Sequence, residues 1–79
     1  MNNVALVTGS SRGIGAAAAA LLGRNGWDVC INYIENRDMA ENLVRELTSE
    51  GCRVMCRQAD VSDAAAVNSM VRSIEDSFG

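Results

Sequence analysis

The feature that most constrains this chain is a short apolar run that breaks into glycines and then becomes a helix. Val4-Ala5-Leu6-Val7 is apolar at every position, as expected of a strand buried on both faces of a parallel sheet. It stops at Thr8-Gly9-Ser10-Ser11-Arg12-Gly13-Ile14-Gly15, with glycines spaced G-x-x-x-G-x-G. From Ile14 through the alanine run Ala16–Ala20 to Leu22 the chain has high helix propensity and little bulk, which suits a helix face lying close to a sheet. Asn25-Gly26 then supplies residues that tolerate the left-handed conformation ending a helix.

The same unit recurs twice. Val29-Cys30-Ile31-Asn32-Tyr33 reads as a second strand, and Asn36 as the N-cap of a second helix. In that helix Ala40, Leu43, Val44 and Leu47 form one apolar stripe, and it closes near Gly51. Cys52-Arg53-Val54-Met55-Cys56-Arg57 alternates, which puts Cys52, Val54 and Cys56 on one face of a more peripheral third strand. Ser62 or Asp63 opens the last helix, where Val67, Met70, Val71, Ile74 and Phe78 continue a stripe. Three strand-helix units predict an α/β fold: the βαβαβα half of a doubly wound parallel sheet, with right-handed crossovers and strand order 3-2-1. In such a sheet the first strand is central and needs a further strand along its other side. The 79 residues are therefore expected to be the front third of one larger domain.

Residue counts remove several chemistries. The chain contains no histidine and no lysine, so it holds neither a Ser-His-Asp triad nor a lysine-bearing phosphate loop nor a Tyr-x-x-x-Lys pair. A net charge of -3 gives no electrostatic footprint for nucleic acid. Cys30, Cys52 and Cys56 lack a C-x-x-C spacing and a fourth ligand for zinc, and read as small reduced core residues. The longest apolar stretch, Ala16 to Leu22, is far short of the roughly 20 residues that span a bilayer. Met-Asn-Asn does not resemble a secretory leader, so a cytoplasmic location is expected.

The glycine block carries the chemistry. Gly9 permits a sharp exit from the strand, Gly13 removes a side chain where a pyrophosphate must approach the backbone, and Gly15 lets the helix pack close to the sheet. The helix start adds free N–H groups and about half a positive charge facing that anion. The plainer alternative is a turn serving packing only. Against it stands the cost of glycine in a helix, up to about 1 kcal/mol relative to alanine, at two positions of an otherwise alanine-rich segment.

With these residues in view, the chain resembles the N-terminal segment of the short-chain dehydrogenase/reductase family, through Leu6-Val7-Thr8-Gly9-Ser10-Ser11-Arg12-Gly13-Ile14-Gly15 and through Ala59-Asp60-Val61 after the third strand. The resemblance extends over the whole chain and implies a Rossmann-type sheet. It also implies that Asp60 accepts from the adenine amino group and that Val61 packs on the ring. Read without the family, Asp60 is equally a loop residue that caps the last helix.

Cofactor choice follows from charge. A dinucleotide fold that prefers NAD places an acid about 20 residues past the glycines to hold the ribose 2′-hydroxyl. Here the second strand ends in Asn32-Tyr33, with no acid to repel a 2′-phosphate. In the resembled family an arginine before the second glycine, Arg12 here, goes with NADP, and a guanidinium engages phosphate through charge-assisted bonds. NADP is therefore expected over NAD. The alternative is that Arg12 points to solvent; Glu35 weakens the positive field, and Arg37 reads as surface decoration.

The family's catalytic serine and Tyr-x-x-x-Lys have no counterpart in this chain: the residue four positions after Tyr33 is Arg37. The resemblance implies an NADP-dependent oxidoreductase, similar to 3-oxoacyl-carrier-protein reductases or sugar dehydrogenases. It would act on a small-molecule carbonyl or alcohol, as a homo-oligomer, with this chain as its cofactor-binding segment and inactive alone. The competing reading is a self-contained nucleotide-binding module or gene remnant without catalysis. Flavodoxin-like or methyltransferase-like sheets fit the glycine spacing poorly.

Overall fold

A computed structural model describes residues 3–9 and 13–78. The elements are β1 (Val4–Val7), α1 (Gly13–Arg24), β2 (Asp28–Tyr33), α2 (Arg37–Ser49), β3 (Val54–Gln58) and α3 (Ala64–Phe78). The three strands form one sheet in the order β1-β2-β3, with both pairings parallel. This is the expected 3-2-1 arrangement, with β2 in the middle.

Alternation along β2 divides the core into two layers. Val29, Ile31 and Tyr33 pack with Ala19 and Ala20 of α1 and with Ala40 and Leu47 of α2. Cys52, Val54 and Cys56 join that layer, as their alternation predicts. Cys30 points the other way, into a smaller cluster with Ala59 and with Met70 and Ile74 of α3. Helices therefore cover both faces of the sheet, which is the doubly wound arrangement.

Helices α1 and α2 end alike. After α1 the Trp27 N–H donates to the Leu22 carbonyl at 3.1 Å and Gly26 N–H to Gly23 at 3.1 Å. After α2 the Cys52 N–H donates to Leu47 and Gly51 N–H to Thr48, both at 3.0 Å. This paired closure satisfies carbonyls that a helix end otherwise orphans. The Arg24 guanidinium forks onto the Glu50 carboxylate at 2.7 and 2.8 Å and so links the two closures. Of the two residues expected to open α3, Asp63 does so: its Oδ1 accepts from the N–H groups of Ala65 at 3.0 Å and Ala66 at 3.3 Å.

Two expectations are corrected. Asn36 stands at the start of α2, yet its side chain makes no capping bond. Its backbone is left-handed, at φ 61° and ψ 45°, a conformation asparagine tolerates better than most residues. It serves α2 by turning the chain. Nor is β1 buried on both faces: Val4 is 45% and Leu6 38% exposed. Both share the α3 side of the sheet with Cys30, the register partner of Leu6, and among the described residues β1 pairs with β2 alone.

Candidate functional site

Because the sheet is parallel, all three strands deliver their C-terminal ends to one edge, where doubly wound sheets bind their ligands. Val7 leads into Thr8-Gly9, Tyr33 into Ile34-Glu35, and Gln58 into Ala59-Asp60. The candidate site is this row of three turns together with the start of α1.

The first turn holds two backbones that only glycine adopts readily. Gly9 has φ +60° and Gly13 φ +66°, and no described atom lies within 4 Å of where a β-carbon on either would sit. Among the described residues, packing therefore does not explain these glycines; their left-handed backbone does. No acidic side chain occupies the first turn of α1, in contrast to Asp38 in α2, so no carboxylate of that turn repels an anion at the helix start. Ile14, 91% exposed, and half-buried Gly15 follow in α1. Ser10, Ser11 and Arg12 lie outside the described residues.

The second turn places two candidates in the interior. Asn32 is 2% and Tyr33 5% exposed. Tyr33 belongs to the α1/α2 layer, and the Asn32 amide reaches sideways to the β3 end, donating to the Ala59 carbonyl at 3.1 Å. The exposed positions at this tip are Ile34 and Glu35. Arg37 pairs with Glu41 one helical turn on at 2.9 Å, as its expected surface role implies.

The third turn is organised by Asp60. Its Oδ1 accepts from the Ser62 N–H at 2.9 Å and the Ser62 hydroxyl at 2.7 Å, and these two bonds hold its carboxyl below the ordinary range. Asp60 is thus an ionised, exposed acceptor at neutral pH. Capping α3 falls to Asp63, which removes the alternative role weighed for Asp60. Val61 beside it is 50% exposed. Sequence reasoning missed two residues that join the second and third turns: Asn32 as a donor, and Gln58, whose Nε2 donates to the Ile34 carbonyl at 3.0 Å. The available signal was an amide inside an otherwise apolar strand.

Among the described residues no cluster of histidine, cysteine, aspartate and glutamate is arranged to hold a metal ion, and no helix is long and apolar enough to cross a membrane.

This geometry has relatives. Versicolorin reductase stcU of Emericella nidulans is 46% identical over 76 residues, which are 96% of this chain and 29% of that protein. The 3-oxoacyl-acyl-carrier-protein reductase FabG of Staphylococcus epidermidis is 39% identical over 79 residues, 100% of this chain and 32% of that protein. The crystal structure of a short chain dehydrogenase from Burkholderia cenocepacia in complex with NADP superposes with a TM-score of 0.91 at 40% identity, over 99% of this chain and 31% of that one. The chain thus spans about a third of the length of the relatives it matches. The short chain dehydrogenase family pattern itself aligns with residues 3–79, and the chain belongs to that family.

Proposed function

We propose that this chain is the NADP-binding N-terminal part of an oxidoreductase that reduces a carbonyl or oxidises an alcohol. The observation that carries the reading is the pair Gly9 and Gly13, both left-handed and with no described atom within 4 Å of a β-carbon position, at the strand-to-helix turn before a helix whose first turn holds no acid. On this reading the N–H groups at the start of α1, with Ser10 and Ser11, receive the pyrophosphate. Ile14 and Gly15 complete that turn, and Asp60 and Val61 receive the adenine. The β2 tip at Asn32-Tyr33 lies by the ribose, where Arg12 takes the 2′-phosphate.

NADP over NAD is supported by the absence of an acid at the end of β2 and by the NADP bound in the Burkholderia cenocepacia relative. When bound, NADPH supplies a hydride. This chain's residues hold and orient it, while the proton-donating tyrosine and its lysine have no counterpart among these 79 residues. We therefore place catalysis in a further part of one larger domain, whose next strand and helix would cover Val4 and Leu6. The relatives' names, two reductases, support a carbonyl substrate.

Two measurements test this. Coding sequence continuing in frame past Gly79 into Tyr-x-x-x-Lys is expected, and an immediate stop would leave a nucleotide-binding module with no reductase activity. In the protein so defined, Arg12→Ala should weaken NADPH about 10- to 150-fold and spare NADH. Equal losses for both would sink the NADP assignment.

A further inference from the structure

Asn32 is an amide in the interior of β2, 2% exposed. Its Nδ2 donates to the Ala59 carbonyl at 3.1 Å, meets the Arg57 carbonyl at 3.4 Å, and lies 3.6 Å from Met70 Sδ. Two carbonyl oxygens on one end of the side chain identify that end as nitrogen, since an oxygen there would face like charge. The ladder between β2 and β3 ends at the pair Tyr33 and Gln58. Ala59 lies one residue beyond it and is nevertheless fixed on both sides: its N–H donates to Tyr33 at 3.0 Å and its carbonyl receives the Asn32 amide.

An apolar side chain of the same size would fill this place beside Met70 without needing partners of its own. The two strands are already joined by their ladder. The amide's distinct effect is therefore on the Ala59-Asp60 peptide, which is planar and trans, so that fixing its carbonyl fixes the direction in which the chain enters Asp60. Asp60 and Val61 follow at once, and Ser62 then locks the Asp60 carboxylate.

We infer that Asn32 is the positioning residue of the adenine end: by tying the Ala59 carbonyl to β2 it makes the strand tip near the ribose and the loop bearing Asp60 and Val61 one rigid recognition unit. The inference rests on the proposed NADP site. It assigns Asn32 no contact with the nucleotide; its effect passes through Asp60 and Val61.

The test is a double-mutant cycle in the protein expressed with any coding sequence that continues in frame past Gly79, titrated with adenosine 2′,5′-bisphosphate, which carries the adenine and the 2′-phosphate without nicotinamide. Asn32→Leu should weaken binding about tenfold, and should have less than about a twofold effect when Asp60→Ala is already present. The same tenfold loss in both backgrounds would overturn the inference while leaving the NADP reading intact. No binding by the unsubstituted protein would overturn both. If Asn32→Leu does not fold, Asn32→Asp replaces it, because a protonated carboxyl restores one donor to the Ala59 carbonyl. Its affinity relative to the unsubstituted protein should then recover on acidification from about pH 8 to about pH 5, and a flat ratio would overturn the inference.

Discussion

Arg53 Nη1 lies 3.4 Å from Asp28 Oδ2, joining a half-exposed guanidinium to a carboxylate whose side chain is 3% exposed. Asp28 opens β2 and Arg53 directly precedes β3, so the pair sits at the sheet edge opposite the candidate site. The same guanidinium lies 5.5 Å from the centre of the Phe78 ring, at the end of α3. One side chain thus fastens two strand starts and a helix end. Because the guanidinium is half exposed, solvent screens its charge and limits what the pair contributes. Arg53→Leu should therefore lower unfolding stability by about 1 kcal/mol, from the lost pair and the lost contact with the Phe78 ring. Urea titration measures this, with NADPH affinity expected to stay unchanged because the site lies at the other edge; a loss of affinity at full folding would contradict that separation.

Gly23 offers the opposite sign. It is buried in α1, and a β-carbon on it would meet the Cys52 Cβ and Sγ at 3.5 Å and Val54 Cγ1 at 3.8 Å, ordinary van der Waals distances. Alanine also fits a helix better than glycine by up to about 1 kcal/mol. Gly23→Ala should raise Tm, whereas Gly23→Leu should lower it by driving α1 away from Cys52. A lower Tm for the alanine variant would mean that the packing at Cys52 is closer than these distances.

How much of this was legible in the sequence depends on how local each signal is. The three strand-helix units follow from short-range periodicity and the strand order from the handedness of the crossovers; glycine spacing marked the turn at Gly9 and Gly13, but not that both backbones are left-handed. Asn36 was legible as a helix boundary but not as a left-handed residue, since the same residue type serves both purposes. An amide inside an apolar strand signalled that Asn32 needs a partner, but the partner itself was out of reach, because it depends on the register that brings Ala59 beside it from 27 positions away. Gly23 was hidden for the same reason: only the meeting of α1 with the start of β3 explains its burial. The exposure of Val4 and Leu6 is a property of what covers the sheet, which no run of apolar residues encodes.

Cys30 predicts the alkaline behaviour. It is fully buried, and burial pushes its thiol up from 9.0 to about 11, with the nearby Arg57 charge opposing the shift and Cys56 adding to it. Between those values the unfolded chain loses this proton while the folded chain keeps it. The unfolded state then binds fewer protons, so stability should fall as pH rises above about 9 and level off past about 11. Cys56, raised by its own burial, adds in the same direction. Urea midpoints across this range should show a shallower decline for Cys30→Ala than for the unsubstituted chain, and equal slopes would remove Cys30 as a source.

The choice between nicotinamide cofactors should be adjustable at Ile34 rather than at Tyr33. Tyr33 is 5% exposed and packs in the α1/α2 layer, so a carboxylate there would break the core as well as change the charge. Ile34 is 53% exposed, and the contact that fixes its place is made by its backbone carbonyl to Gln58 Nε2, which a substitution leaves alone. Ile34→Asp therefore puts a negative charge at the strand tip without disturbing the fold. If the 2′-phosphate of NADPH is received there, the substitution should weaken NADPH by about tenfold or more and leave NADH equal or tighter, because a carboxylate repels the phosphate and accepts from ribose hydroxyls. Fluorescence titration with the two cofactors measures the ratio. An unchanged ratio in a folded variant would move the 2′-phosphate away from the β2 tip and leave Arg12 without a neighbour in that role.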